Sequence, residues 1–277
     1  MREGCTLEEA TKYNFIFLED YEKFSGVLLS FLRLNYSSGL ETEAEHEISF
    51  FEWLFSKGGC LGVAREEEKW VAVYPVGKLT LKYKNDPFTV YHAALVCVNK
   101  AHRFRGLAQK IVKKTDDFLK RKYSLAVSGV GATGLRIPTT FKDFNVLTCT
   151  KVKRPKEKVF SSHNFFLIDE TSFFTRYLTE EGEVLCYPLT VTHKGKREKW
   201  GIIASYFTKG SWNGLIFEAC HNKLLKEFDR ILIFENYERS SDALTQMGFE
   251  KFSSFNLYVD SIGKIPARYL YYNLFLF

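Results

Sequence analysis

The run Leu95-Val96-Cys97-Val98-Asn99-Lys100-Ala101-His102-Arg103-Phe104-Arg105-Gly106-Leu107-Ala108 changes its periodicity in the middle. Its start is apolar and strand-like. Beyond Gly106, the residues Leu107, Ile111, Val112, Thr115, Phe118 and Leu119 fall on one face of a helix. A strand that turns straight into a helix leaves the first helical N–H groups unpaired at the positive end of the dipole, a natural seat for a pyrophosphate. Gly106 removes the side chain that would hold a phosphate away, and Arg103 and Arg105 add charge-assisted donors. A plain helix start flanked by two surface arginines has the same pattern.

Working outward, residues 21–35 carry Phe24, Val27, Leu28, Phe31, Leu32 and Leu34 at helical spacing. Glu41, Glu43, Glu45 and Glu47 form an acidic stretch, and Phe50-Phe51-Glu52-Trp53-Leu54-Phe55 predicts a second helix ending at Gly58-Gly59. Strands are expected over 60–64, 70–76, 78–83, 88–98 and 124–130. The basic, Pro-containing segment 151–158 reads as a solvated linker, with a localisation signal or a phosphate-binding patch as alternatives. Beyond it, strands are expected over 200–208, 215–219, 230–235, 252–259 and 268–277, with helices over 220–228 and 242–247, the latter stopped by Gly248. The pattern predicts an α+β fold in two similar halves, residues 1–152 and 153–277.

The chain has 277 residues, 45% hydrophobic and 26% charged, which excludes a disordered or collagen-like polymer. Aromatic residues make 16% of it, enough to line an apolar tunnel, although a biased genome gives the same excess. A net charge of +6 permits anionic partners without requiring nucleic acid, and none is expected. The six cysteines never form C-x-x-C and never pair with histidine at metal-ligand spacing, so neither disulfides nor a metal is expected. The start lacks a signal-peptide apolar core, and no apolar run approaches the roughly 18 residues of a membrane helix. A cytoplasmic, monomeric protein is the expectation.

The turn Arg103 to Ala108, R-x-x-G-x-A after a strand, resembles the pyrophosphate loop of the GNAT superfamily of acyl-CoA N-acyltransferases. Ala243-Leu244, followed by Met247-Gly248-Phe249-Glu250, resembles that fold's late helix-to-strand passage. One mark in each half implies two fused GNAT-like folds with mixed, mainly antiparallel sheets. From about Val27 onward the order of motifs is similar to that of glycylpeptide N-tetradecanoyltransferase, the N-myristoyltransferase family. Leu28-Leu29, Leu32, Asn35-Tyr36, the acidic stretch and Ile48 to Leu54 look like its first helix, acidic loop and aromatic helix. Leu95 to Lys100 is similar to its F-L-C-V-H-K strand, Val127-Ser128-Gly129-Val130 to its T-A-G-V, and Phe255-Asn256-Leu257-Tyr258 to a late strand.

The resemblance implies transfer of myristate from myristoyl-CoA, the acyl donor, to the N-terminal glycine of peptides or proteins. A glycine amine, with a pKa of about 7.7–8.0, must lose a proton before it attacks a thioester, so such a site needs a base and an oxyanion hole. By resemblance the base is the C-terminal carboxylate, here that of Phe277. The oxyanion donors are the N–H groups of Leu95 and Val96, and Arg103, Phe104, Arg105, Gly106, Leu107 and Ala108 hold the CoA phosphates. Glu41, Glu43, Glu45, Ser128, Gly129 and Ser253 would face the peptide; the glutamates are equally readable as a solvated loop. Each buried CH₂ of the acyl chain would contribute roughly 0.8 kcal/mol.

The family's G-x-G-D-G loop is replaced around Glu250-Lys251-Phe252-Ser253-Ser254, and 164–199 leaves little room for a second set of helices. No N-terminal extension is expected to cover the coenzyme. Such a minimal form suits a compact viral or parasitic genome. The histidines and the basic residues of 110–122 read as structural and solvated, and Cys97 as an apolar filler. Two rivals remain: a GNAT acetyltransferase with a shorter acyl-CoA, and a non-catalytic protein that binds acyl-CoA or a lipidated peptide.

Overall fold

The computed structural model describes residues 12–19, 21–35, 42–45, 47–83, 86–93, 95–122, 129–131, 141–160, 165–168, 171–235 and 238–259. The α+β expectation holds: the described residues form two sheets, antiparallel but for one strand pair. In the first, β1 (Asn14–Leu18), β3 (Gly59–Glu66), β4 (Lys69–Tyr83) and β5 (Asp86–Ala93) lie side by side, with β6 (Cys97–Val98) and β9 (Phe165–Ile168) also on β4. β4 is long enough to be covered twice on each side. β3 and β9 divide one edge, β5 and β6 the other.

The second sheet runs β10 (Thr175–Leu178), β11 (Gly182–His193), β12 (Lys196–Thr208), β13 (Arg230–Glu235), β8 (Phe141–Cys149), β14 (Glu250–Val259) and β7 (Gly129–Gly131). β2 (Thr42–Glu45) adds to the open edge of β11. Lys194 (φ 49°) and Gly195 (φ 75°) make the two-residue turn that joins β11 to β12, the primed geometry that matches strand twist. β12 and β13 are the parallel pair, and parallel neighbours need a crossover helix. The sheets also trade strands: β2, β7 and β8 come from residues 1–152 yet pair in the second sheet, while β9 follows residue 152 yet pairs in the first.

Helices fill the layers. α1 (Ser25–Asn35) buries Leu28, Leu29, Phe31 and Leu32, and α2 (Ile48–Phe55) buries every residue from Phe50 to Phe55 except Glu52. Both join the core between the sheets, where Leu61, Val73 and Leu95 of one meet Tyr187, Trp200 and Phe234 of the other. α3 (Leu107–Lys122) covers the outer face of the first sheet through Leu107, Ile111, Val112 and Leu119, the spacing read in the sequence. α4 (Trp212–Ala219), continued by a π-helical turn (Cys220–Leu224), and α5 (Glu238–Gln246) cover the outer face of the second. Each fully buried large side chain contributes about 1.5–3 kcal/mol.

Several expectations change. Residues 215–219, read as a strand, are the end of α4: a five-residue apolar run has no decisive period, and the Ser211 cap settles it as helix. The long strand 88–98 is broken in two. Segment 151–158 exposes its charges as expected, but Lys153 N–H donates to the Met247 carbonyl at 2.8 Å and Val152 and Val159 pack on the core, so it is no free linker. Of the strand expected over 124–130 only residues 129 and 130, the start of β7, are described, and 268–277 lies outside the described residues.

Candidate acyl-donor turn and acidic cleft

β4 pairs with β5 up to Val76 opposite Ala93 and resumes with β6 at Val73 opposite Cys97. Leu95 and Val96 thus lie outside both strands, between the end of β5 and the start of β6. Leu95 is buried in the inter-sheet core, and Val96 packs against the core beneath α3. These are the two residues expected to bind an oxyanion, and they lie where a backbone N–H is most easily diverted from strand pairing.

Four residues beyond β6, the turn before α3 is pinned on one side and open on the other. Asn99 accepts the Ala101 N–H at 3.0 Å, and Arg103 donates from Nε to the Val98 carbonyl at 3.2 Å and from Nη2 to the Asn35 carbonyl. Asn35, buried at the end of α1, accepts the Lys100 N–H at 3.4 Å. Phe104 then takes φ 65° and Gly106 φ 69°. A left-handed conformation is uncommon for a bulky residue, and Phe104 is in addition fully exposed. A Cβ built on Gly106 meets nothing within 4 Å, so the space before the helix is free. Arg105 and Gly106 are exposed, Leu107 is buried and Ala108 half-buried.

Around this turn stand residues that the sequence reading passed over. The Tyr13 hydroxyl lies 3.2 Å from His102 Nδ1 and accepts from Arg105 at 3.5 Å. His102 Nε2 lies 3.5 Å from Glu66, which also pairs with Lys12 at 2.7 Å. That ion pair raises the pKa of Lys12 and lowers that of Glu66. Lys12 and Tyr13 thus stand beside the loop. The carboxylate beside His102 is 36 positions away in the chain, beyond any local spacing rule. Burial pushes the Cys97 thiol up to about 12, with nearby Arg103 offsetting part of the shift, so it is protonated near neutrality and no nucleophile.

A second feature is a cleft of about 480 Å³ between α2, β11 and residues 171–173. Glu45, Glu47 and Glu52 stand on its rim, and Phe50, Trp53, Phe173 and Tyr187 line it. Phe173 is stacked between Trp53 and Tyr187, with centroids 5.0 and 5.4 Å away. Burial, and then the Glu47 carboxylate, raise the Tyr187 pKa, which keeps the hydroxyl neutral. Of the expected peptide residues, Glu45 is here and pairs with Arg197 at 2.7 Å, in a strand and not a solvated loop. Glu43 lies on the same strand, while Glu41 and Ser128 fall outside the described residues. Gly129 opens β7 opposite Val259, and Ser253 pairs with Val146 beside a bulge at Phe252, so residues 250–254 are strand and not loop. The sequence placed no role on Glu47, Glu52, Phe173 or Tyr187. Phe277 also lies outside the described residues.

Among the described residues no group of three His, Cys, Asp or Glu side chains stands together as a metal site, and no helix is long and apolar enough to cross a membrane. No family model matches the sequence, and neither does any curated protein. Solved structures do match. Saccharomyces cerevisiae N-myristoyltransferase with bound myristoyl-CoA superposes with a TM-score of 0.66 at 15% identity, over 90% of this chain and 78% of that one. A second structure with bound myristoyl-CoA gives 0.62 at 14%, over 90% and 82%. A third, with myristoyl-CoA and inhibitors, gives 0.65 at 14%, over 90% and 80%. Identity this low carries the architecture alone, and the architecture is that of the N-myristoyltransferase fold.

Proposed function

We propose that this protein is an acyltransferase that moves myristate from myristoyl-CoA to the N-terminal glycine of proteins. The observation that carries the reading is a conjunction: the fold matches structures that hold myristoyl-CoA, and this chain has a break between two strands and an open helix start in succession at Leu95–Val96 and Arg103–Ala108. Residues 1–152 would hold the donor, and 153–277 would form the peptide groove and supply the base.

In this reading the α3 N-terminus and the arginine-bearing turn hold the CoA phosphates. The Phe277 carboxylate takes a proton from the glycine ammonium. The freed amine attacks the thioester carbonyl carbon, the N–H groups of Leu95 and Val96 stabilise the oxyanion, and collapse breaks the C–S bond. The CoA thiolate leaves and takes up the proton that the attacking nitrogen sheds as it becomes the amide. The protonated Cys97 supports direct attack by the amine without an acyl-enzyme. Glu45, Glu47 and Glu52 around the cleft would favour peptides with lysine or arginine near the glycine, with Glu41, Glu43, Ser128, Gly129 and Ser253 as further peptide contacts. A cytoplasmic monomer is part of the same reading.

The test is mass-spectrometric detection of acylated peptide from myristoyl-CoA and a Gly-initiated, lysine-containing peptide, comparing the intact chain with one lacking Leu276 and Phe277. Acylation by the intact chain, reduced about 10²-fold or more by the truncation, is expected for loss of a general base. Equal activity of both removes the carboxylate base. Acyl-CoA binding with no product from either indicates a non-catalytic binder, and transfer of short acyl chains alone indicates an acetyltransferase.

A further inference from the structure

We infer that the two arginines of the turn before α3 have different tasks: Arg103 is a positioning residue that latches the turn to the end of α1, and Arg105 is the residue that meets the donor's phosphates. The inference rests on the acyl-CoA reading above, which gave both residues one role.

Arg103 spans two elements. Its Nε bonds the Val98 carbonyl at the end of β6 and its Nη2 bonds the Asn35 carbonyl at the end of α1, 68 positions away. A guanidinium at a helix C-terminus satisfies a carbonyl that the helix leaves unpaired and lies at the negative end of the dipole. Asn35 strengthens the junction from its other side: its amide donates to the Phe31 carbonyl at 2.9 Å and its side-chain oxygen accepts from Lys100. With the Asn99 contact to Ala101, residues 98–103 are tied at several points just before the chain enters the left-handed conformation at Phe104. Carrying the Arg103 guanidinium to a phosphate would break both carbonyl bonds and release the turn.

Arg105 has the opposite character. It is exposed, and its contact with the Tyr13 hydroxyl, at 3.5 Å, is at the outer limit of a hydrogen bond. Its side chain belongs to the open side of the turn, one residue before Gly106, and can move without disturbing the backbone.

Charge-conserving substitution separates the two tasks, because lysine keeps the charge but cannot bridge two carbonyls with a planar fork. Wild type, Arg103→Lys, Arg103→Ala, Asn35→Ala, Arg105→Lys and Arg105→Ala would be titrated with CoA and with S-myristoyl pantetheine, which lacks the phosphates. Hydrogen exchange would be followed over residues 28–35 and 97–108 of the ligand-free proteins. Arg105→Ala is expected to weaken CoA about tenfold or more, Arg105→Lys to restore it to within about threefold, and neither to change exchange. Arg103→Lys, Arg103→Ala and Asn35→Ala are each expected to weaken CoA about tenfold and to speed exchange in both segments together, with pantetheine binding held in all variants.

Restoration of CoA binding by lysine at 103, with exchange unchanged, would overturn the latch and make Arg103 a phosphate ligand. Equal CoA affinity of wild type and Arg105→Ala would overturn the role of Arg105. Wild type that binds no CoA would overturn the acyl-donor reading and Arg105's task with it, and the exchange result would still decide the latch.

Discussion

The strand-to-helix turns before α3 and before α4 share a design, and they have been finished differently. In the second sheet, β12 ends at Thr208 and α4 starts four residues later. There Ser211 Oγ accepts the Gly214 N–H at 3.2 Å and the Trp212 N–H donates to the Val159 carbonyl at 3.0 Å. Asn213 bonds the Val159 N–H at 2.9 Å and the Glu157 carbonyl at 2.8 Å. The chain's own segment thus sits on the end of α4. At α3 the first turn contains no acidic residue, Phe104 to Gly106 are exposed, and free space lies before Gly106. A helix start satisfied from within offers little to an anion, whereas one left open keeps its N–H groups available. The fold supplies the geometry at both turns, and local sequence determines where a ligand can use it.

The sharpest way to break this comparison is to press on the glycine beneath each outer layer. A Cβ on Gly62 would lie 2.1 Å from Thr115 Oγ1 of α3, and one on Gly201 would lie 2.7 Å from Cys186 Sγ and from the Phe228 ring. Gly62→Ala and Gly201→Ala should each cost about 1–3 kcal/mol and lower Tm by several degrees. Their effects on CoA binding should differ. Gly62→Ala displaces α3 and is expected to weaken CoA about tenfold, whereas Gly201→Ala should leave affinity unchanged. Equal changes in CoA affinity, measured by calorimetry beside thermal unfolding, would show that the first turn has no special claim on the ligand.

A smaller effect is expected from Asn213→Ala. It leaves the Val159 N–H and the Glu157 carbonyl without their partner, at about 1–3 kcal/mol before water repairs part of the loss. Exchange should rise over residues 157–160 with no change in CoA affinity. Slow exchange in the variant would mean that the cover on α4 does not depend on this side chain.

Why one turn was legible and the other was not follows from where the signal lies. Leu107, Ile111 and Leu119 repeat at helical spacing over four turns, and Gly106 marks the boundary, so α3 and its loop could be read directly. α4 has eight residues, too few for periodicity to outweigh Leu215-Ile216-Phe217 looking like strand. β1, β8, β10 and β11 escaped the reading, and so did the exchange of β2 and β9 between sheets, because pairing partners are set by tertiary contact. The same holds at the site. Arg103 and Arg105 look alike as sequence, but only the fold brings the Asn35 carbonyl to one of them. The cleft joins α2 to β11 across about 140 positions, a distance that no motif spans.

The thiols give a further comparison between the halves. Burial raises the Cys97 pKa to about 12 and that of Cys186 well above the ordinary range; Cys220 is raised likewise, first by its hydrogen bond with Cys149 and then by burial. A thiol held neutral in the folded state deprotonates first in the unfolded chain, near pH 8.5–9. The contribution to stability is therefore complete below that pH and is lost as pH rises through the folded value, so denaturant midpoints should fall between about pH 9 and 12. Native protein at pH 8 should also resist alkylation at these three residues. Rapid labelling of Cys97 alone would show that the break at Leu95–Val96 opens the first core to solvent.

The smallest effect concerns the acidic cleft. Glu45 and Arg197 form a 2.7 Å ion pair with side chains 42% and 72% exposed, a kind of pair that contributes 0 to about 1 kcal/mol. Arg197→Ala should therefore barely move Tm. It also frees a carboxylate at the rim of the cleft and removes a competing cation, so the KM for a lysine-containing glycyl peptide should fall about two- to threefold, with kcat and acyl-CoA affinity unchanged. Glu47→Gln should move the same KM upward, since Glu47 stands on that rim beside Tyr187. A charge-neutral peptide should respond to neither. If both peptides responded alike, the carboxylates would be shaping the cleft rather than reading charge, and the cleft's claim to recognise the acceptor would rest on shape alone.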